Sequence, residues 1–162
     1  YYKDINNLLD PFVGNYIYTN GNTSLKIMLQ KKTMSFDGYQ YEDVLIGEYE
    51  YIENGILKMT TLNNININYI NQNEHSLSGN GIESMGDYAC QGCVAGEVRL
   101  RGGLVEHDTH SLATLIIRRL TVGGQPALGI HLWWEIRVYN PSTDEPPINP
   151  SFPGGDYTLI KY

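Results

Sequence analysis

The stretch GNYIYTNGNTSLKIMLQKK, residues 14–32, decides the fold. Leu25, Ile27 and Leu29 alternate with Lys26, Met28 and Gln30. That is the period of two of a strand whose successive side chains point to opposite faces. Ahead of them stands Asn20-Gly21, the pair favoured where a two-residue turn needs positive φ at both positions. The stretch therefore reads as strand, turn, strand.

Working outward, EDVLIGEYEYIENGILKMTTL (42–62) repeats the plan with Asn54-Gly55 as its turn. Ile65, Ile67 and Tyr69, interleaved with Asn66 and Asn68, extend the alternation. From Asn71 to Gly96 five glycines (79, 81, 86, 92 and 96) break any long element. Strands then resume. Val98 and Leu100 alternate with Glu97, Arg99 and Arg101; LATLIIRRLTV (112–122) is β-rich; VGGQPALG (122–129) turns it back. In GIHLWWEIRVY (129–139), Ile130, Leu132, Trp134, Ile136 and Val138 share one face, and His131, Trp133, Glu135, Arg137 and Tyr139 the other. The proline-rich NPSTDEPPINPSFPGGD (140–156) excludes strand and helix. YTLIKY closes the chain as a last strand. Only DINNLLDPF (4–12) offers a helical turn, with Asp4 as its cap and Pro11 as its stop.

About nine short strands joined by tight turns make an antiparallel meander. An open meander leaves two unpaired edges, and closing it into a barrel removes them. The expectation is one all-β domain over residues 1–162: an N-terminal turn in 1–13, a barrel of about eight to ten strands with the last strand beside the first, and a proline-rich loop at 140–156. A two-sheet sandwich is the competing solution.

The 162 residues carry a net charge of −7 and a pI near 4.9, which argues against a nucleic-acid partner because phosphates would be repelled. Thirteen tyrosines suit strands with one wet face, and fifteen asparagines suit tight turns. No apolar run is long enough to cross a bilayer. The chain begins at Tyr1, and the expectation is a leader removed upstream, with a lipid-anchored cysteine lost alongside it.

Two resemblances follow. LLDPFVGNYIY (8–18) resembles the entry to a lipocalin or wider calycin barrel, with Gly14 and Tyr16 on its Gly-x-aromatic pattern and Tyr where Trp is usual. The segments DPFVGNYIYTNGNTSLKI, GEYEYIENG, CQGC and GQPALGI, in that order, are similar to an uncharacterised family of small exported proteins of Bacteroidetes, chiefly flavobacteria. That likeness implies a removed signal sequence and a periplasmic or cell-envelope location, with lipid anchoring as a further implication. It brings no activity with it.

The only two cysteines, Cys90 and Cys93, are spaced C-x-x-C. In an exported chain the favoured reading is a disulfide closing a tight loop, with Gly92 supplying the bend. A metal clamp is the next reading, because after thirteen intervening residues His107 and His110 complete C-x2-C…H-x2-H. The intervening stretch reads as strand, however, and a chain of this length folds without zinc. A redox centre wants a helix N-terminus that VAGEVRLR does not offer. Two free thiols remain as the last alternative.

Trp133 and Arg137 are candidate ligand-binding residues on the polar face of their strand, with His131 and Glu135 beside them. A solvated outer face is the favoured reading of that row. Trp134 is the candidate on the opposite face, lining a hollow barrel or forming part of a filled core. Glu42, Asp43, Glu48, Glu50 and Glu53 alternate along a strand and read as a solvated face, not as a calcium loop. No G-x-S-x-G or triad spacing is present, so no catalytic residue, metal or cofactor is assigned.

The function has no signature of its own. The leading expectation is an exported, non-enzymatic barrel holding a small apolar ligand. The alternative is an envelope structural or protein-interaction protein with a filled barrel. An interior apolar cavity of roughly 300 Å³ or more would mark the first. A filled interior with an exposed aromatic patch would mark the second.

Overall fold

The strands are β1 (Gly14–Asn20), β2 (Thr23–Phe36), β3 (Tyr41–Glu53), β4 (Ile56–Thr60), β5 (Leu77–Glu83), β6 (Arg99–Glu106), β7 (Ser111–Val122), β8 (Gln125–Trp134) and β9 (Gly155–Lys161). They are seen in a computed structural model that describes residues 1–135 and 140–162. Every neighbouring pair is antiparallel. The ring runs β1-β2-β3-β5-β6-β7-β8-β9, and β9 returns to β1 through Tyr16↔Lys161 and Ile17↔Ile160. Eight strands thus close a barrel, and β4 hangs on β3 as a ninth. Closure excludes the sandwich and fits the lipocalin-like expectation. No helix among the described residues is long and apolar enough to cross a membrane.

Turn chemistry sets the hairpins. Asn54-Gly55 forms the expected two-residue turn with both φ positive, at 51° and 79°. The first hairpin turns one residue later than expected. Asn20 pairs with Thr23, so the central residues are Gly21 and Asn22. Only Gly21 of the two has positive φ, the pattern in which Gly leads the turn.

The interior is filled. The alternation in β2 places Leu25, Ile27 and Leu29 in one cluster with Tyr49 of the neighbouring β3 and with Leu104, Ile117 and Leu132 from farther round the ring. Gly47 marks how tight this is, since a Cβ there would stand 2.7 Å from Leu29 Cδ2. The N-terminal segment adds Leu9 and Phe12 to the core. Asp4 holds it by accepting from the Leu8 and Leu9 amides at 2.8 and 3.0 Å and pairing with Lys31 Nζ at 2.9 Å. The turn itself is a 3-10 helix at Asp10–Phe12 that contains Pro11 rather than stopping at it. A proline fits there because its missing N–H falls among the helix's unpaired ones.

At the opposite mouth the proline-rich loop supplies a plug. Phe152 is buried and packs on the rings of Tyr49, Tyr51, Trp134 and Tyr157, with centroids 5.3 to 6.2 Å away. Beside it Glu106 accepts from Tyr49 Oη at 2.7 Å, Thr109 Oγ1 at 2.8 Å, and both the amide (2.8 Å) and the hydroxyl of Ser151. Burial first, and then that carboxylate, push the Tyr49 phenol well above its ordinary ionisation range.

Residues 61–76 depart from the expected strand at Ile65–Tyr69. They carry 3-10 turns at Leu62–Asn64 and Gln72–Glu74 instead. Ile65 is buried against Val44 and Ile46, whereas Ile67 is exposed, so the alternation serves no single face. The Asn71 side chain accepts from the Asn73 amide, the local bond by which asparagine competes with a ladder.

Candidate functional site

The register stacks outward-facing side chains in rows across β6 to β9. Arg99 faces Arg118, then Gly129, then Thr158. Arg101 faces Ile116, then His131, then Asp156. Gly103 faces Thr114, then Trp133. All five arginines of this acidic chain lie between residues 99 and 137, and three of them stand in these rows.

Each arginine is held differently. Arg99 donates from Nε to Glu97 Oε1 at 3.0 Å and from Nη1 to the Ala89 carbonyl at 3.2 Å, tying the cysteine loop to the wall. The Val94 amide and the Arg99 guanidinium together hold the Glu97 carboxyl below its usual range. Arg101 pairs with Glu83 at 3.1 Å. Arg118 crosses Gly129, where a Cβ would meet Arg118 Cγ at 3.3 Å and Leu120 Cδ1 at 3.0 Å. The missing side chain at Gly129 leaves that path open.

His131 Nδ1 lies 2.7 Å from Asp156 Oδ1, which orients the ring. Its centroid is 5.3 Å from that of Trp133. Trp133 and Tyr88 are both exposed. A cleft of about 360 Å³ lies over Arg118, Gly129 and Thr158. A second, of about 350 Å³, lies between Tyr88, Gln91 and Trp133. Both are lined by Arg99, Ile116 and His131, so they form one groove with cations along one end and aromatic rings at the other.

The cysteine loop forms the groove's rim. Cys90 and Cys93 are joined as a disulfide with Cα atoms 5.2 Å apart, and Gly92 takes φ 76°. Their sulfurs are therefore not ligands. His107 and His110 sit on the turn after β6, while the disulfide precedes that strand. Eight residues of strand separate the two by roughly 27 Å. Among the described residues, no three His, Cys, Asp or Glu side chains are grouped to hold a metal.

Trp133 stands on the groove. Trp134 points the other way, half-buried, and donates Nε1–H to the Phe152 carbonyl at 2.9 Å. The two tryptophans thus belong to different environments. Arg137 lies outside the described residues. Arg99, Arg118 and Tyr88 were not singled out in the sequence. The parity of Arg99 was legible there, but its partners depend on the register between strands.

The acidic row on β3 is corrected by the structure. Glu42, Asp43 and Glu48 are buried, because the N-terminal segment and the 61–76 loop fold back over that wall. Asp43 accepts from Tyr1 Oη, the Met34 amide and the Asp4 amide. Glu42 accepts from Asn80 Nδ2 at 2.6 Å. Only Glu50 and Glu53 keep the expected surface role, paired with Lys26 and Lys58 at 3.5 and 3.7 Å.

A family model described as a family of unknown function (DUF6705) matches residues 1–162, and the chain belongs to that family. Comparison with curated proteins and with solved structures finds no match.

Proposed function

We propose that this member of a family without an assigned activity is an exported, non-catalytic envelope protein that binds a partner with the outside of its barrel. The partner is an acidic segment of another envelope protein. The observation that carries the reading is the juxtaposition of Arg99, Arg118, His131, Trp133 and Tyr88 in one groove of an otherwise acidic chain. Arginine, tryptophan and tyrosine dominate binding energy at protein interfaces. Arginine also recognises carboxylates through a planar fork of donors.

A small apolar ligand inside the barrel is supported less well, because it would have to displace side chains that already fill the interior. The exposed His131–Asp156 pair argues for recognition over catalysis, since water screens it and nothing desolvates a reacting group there. The Cys90–Cys93 disulfide fits an oxidising compartment.

A photo-crosslinking residue at position 133, in living source cells, should trap one discrete protein. The same residue at Leu57, exposed on β4, should not. Arg118→Glu should remove the adduct. Identical products from both positions, or none from 133, would overturn the reading.

A further inference from the structure

A second site lies where β3 changes partners, away from the arginine groove and independent of the reading given to it. β5 pairs with Leu45–Gly47 and β4 with Glu50–Glu53. Glu48 and Tyr49 fall in the fork between the two ladders. The chain leaves β4, crosses the outer wall in residues 61–76, and returns as β5. It encloses a cavity of about 250 Å³, lined by Glu48, Thr61, Tyr69, Ser76, Glu106 and Asp108 among others.

The two buried carboxylates of this cavity differ. Glu106 is saturated by its four donors from Tyr49, Thr109 and Ser151. Glu48 is not. Its side chain is 1% exposed, and its Oε1 meets His75 Nδ1 at 2.7 Å. His75 Nε2 is in turn engaged by the Ile67 carbonyl at 3.1 Å, and Tyr69 packs edge-on against the ring. Whichever proton arrangement that pair adopts, Glu48 Oε2 has no partner. A buried carboxylate oxygen without a donor is costly, and native folds supply one.

The rest of the lining narrows the occupant. Thr61 Oγ1 accepts from Ser76 Oγ and from the Tyr49 amide and donates to the Tyr49 carbonyl, so it is filled; the Ser76 proton is committed and the Ser76 lone pairs remain. Glu74 and Asp108 add exposed negative charge to the lining. The site is thus rich in acceptors, negative and small. A divalent metal is a poor match, because no cluster of three ligating side chains exists among the described residues and calcium wants six or more oxygens. A primary ammonium, with three donors, no acceptor and one positive charge, suits it.

We propose that the β3 fork binds a primary ammonium group, carried by a small amine or by a lysine side chain of a partner.

The test is amide-resolved NMR titration of the whole chain with n-butylammonium, with N-acetyl-lysine methylamide, and with tetramethylammonium and sodium as controls. Saturable shifts at residues 48, 61 and 76 with butylammonium, and none with the controls, are expected. Binding by butylammonium alone identifies a free amine as the source, and stronger binding by the capped lysine identifies a side chain. Glu48→Gln should weaken binding about tenfold or more. If that variant fails to fold, Glu74→Gln with Asp108→Asn should weaken it several-fold while leaving the melting temperature unchanged. Absence of shifts with either amine, equal shifts with sodium, or undiminished binding in a folded Glu48→Gln protein would each overturn the proposal.

Discussion

The Tyr49 hydroxyl donates to Glu106 Oε2 across 2.7 Å, at the barrel mouth and away from solvent. This bond ties β3 to the end of β6, and the same carboxylate captures Ser151 of the proline-rich loop. A ring wall, a turn and a plug therefore share one acceptor. Glu106→Gln would place a donor against donors and lose the charge that strengthens each bond. The expected loss is about 3 kcal/mol, read as a fall in melting temperature of about 10 °C. Tyr49→Phe should lose less, since three donors still satisfy the carboxylate. Equal losses for the two variants would mean the carboxylate is not the shared anchor.

Phe152 tests whether the loop is a structural plug. Truncation to alanine removes a fully buried ring against four aromatic neighbours, and should cost about 3–5 kcal/mol. It should also open the mouth, so an apolar dye that ignores the native protein should bind the variant. A variant as stable as the native chain would make the loop a mere connection.

Acid stability follows from Asp43. Burial pushes its carboxyl up, but the Tyr1 hydroxyl, the Asp4 and Met34 amides and the Lys31 charge outweigh that and hold it below 3.8. A depressed folded value contributes stability that is present above the unfolded value and lost as pH falls through the folded one. Urea midpoints of the native chain should therefore drop as the pH falls below the ordinary carboxylate value of 3.8. Asp43→Asn should be less stable at pH 7 and show a shallower decline over the same range. Parallel curves for the two proteins would remove Asp43 as the cause.

At the other end of the scale, burial pushes Tyr157 up to about 12, with Tyr51 and Tyr18 adding to it, and Tyr49 lies higher still. Raised folded values contribute stability that is fully present below the unfolded value of 10.0 and lost as pH rises through the folded ones. Phenolate absorbance should show the exposed tyrosines ionising first, with these two appearing only as the circular dichroism signal collapses. Complete ionisation in a still-folded protein would contradict the burial argument.

Reduction of Cys90–Cys93 should act locally. A ring this small removes little chain entropy, so global stability should fall by about 2 kcal/mol at most. Hydrogen exchange should speed up across residues 84–98 and stay unchanged in β7 and β8. Because Tyr88 and Gln91 line the groove, crosslinking from position 133 should weaken with it.

Much of this was legible in the chain. Period-two patterns and Asn54-Gly55 located most strands and one hairpin turn. Burial parity in β8 was also readable, because Leu132 and His131 can only point to opposite faces of a strand. The cysteine pair was readable as a staple given the compartment its resemblance implied. The first turn shifted by one residue, since Gly21 satisfies a turn led by glycine as readily as one that follows asparagine. Ile65–Tyr69 misled because alternation in an asparagine-rich run does not by itself demand a ladder. The acidic row misled for a related reason: strand parity tells which way a side chain points, not whether another segment covers it.

Local alternation and turn chemistry, which act between neighbours in sequence, determined that this chain would be antiparallel β. The edge problem of such a meander pointed to closure. Register across the ring alone set Arg99 beside Arg118 and His131 beside Asp156. The two long loops folding back alone buried Glu48 against His75 and seated Phe152 in the mouth. Those contacts join residues far apart in the chain, and their energies appear only once the barrel has brought the strands together.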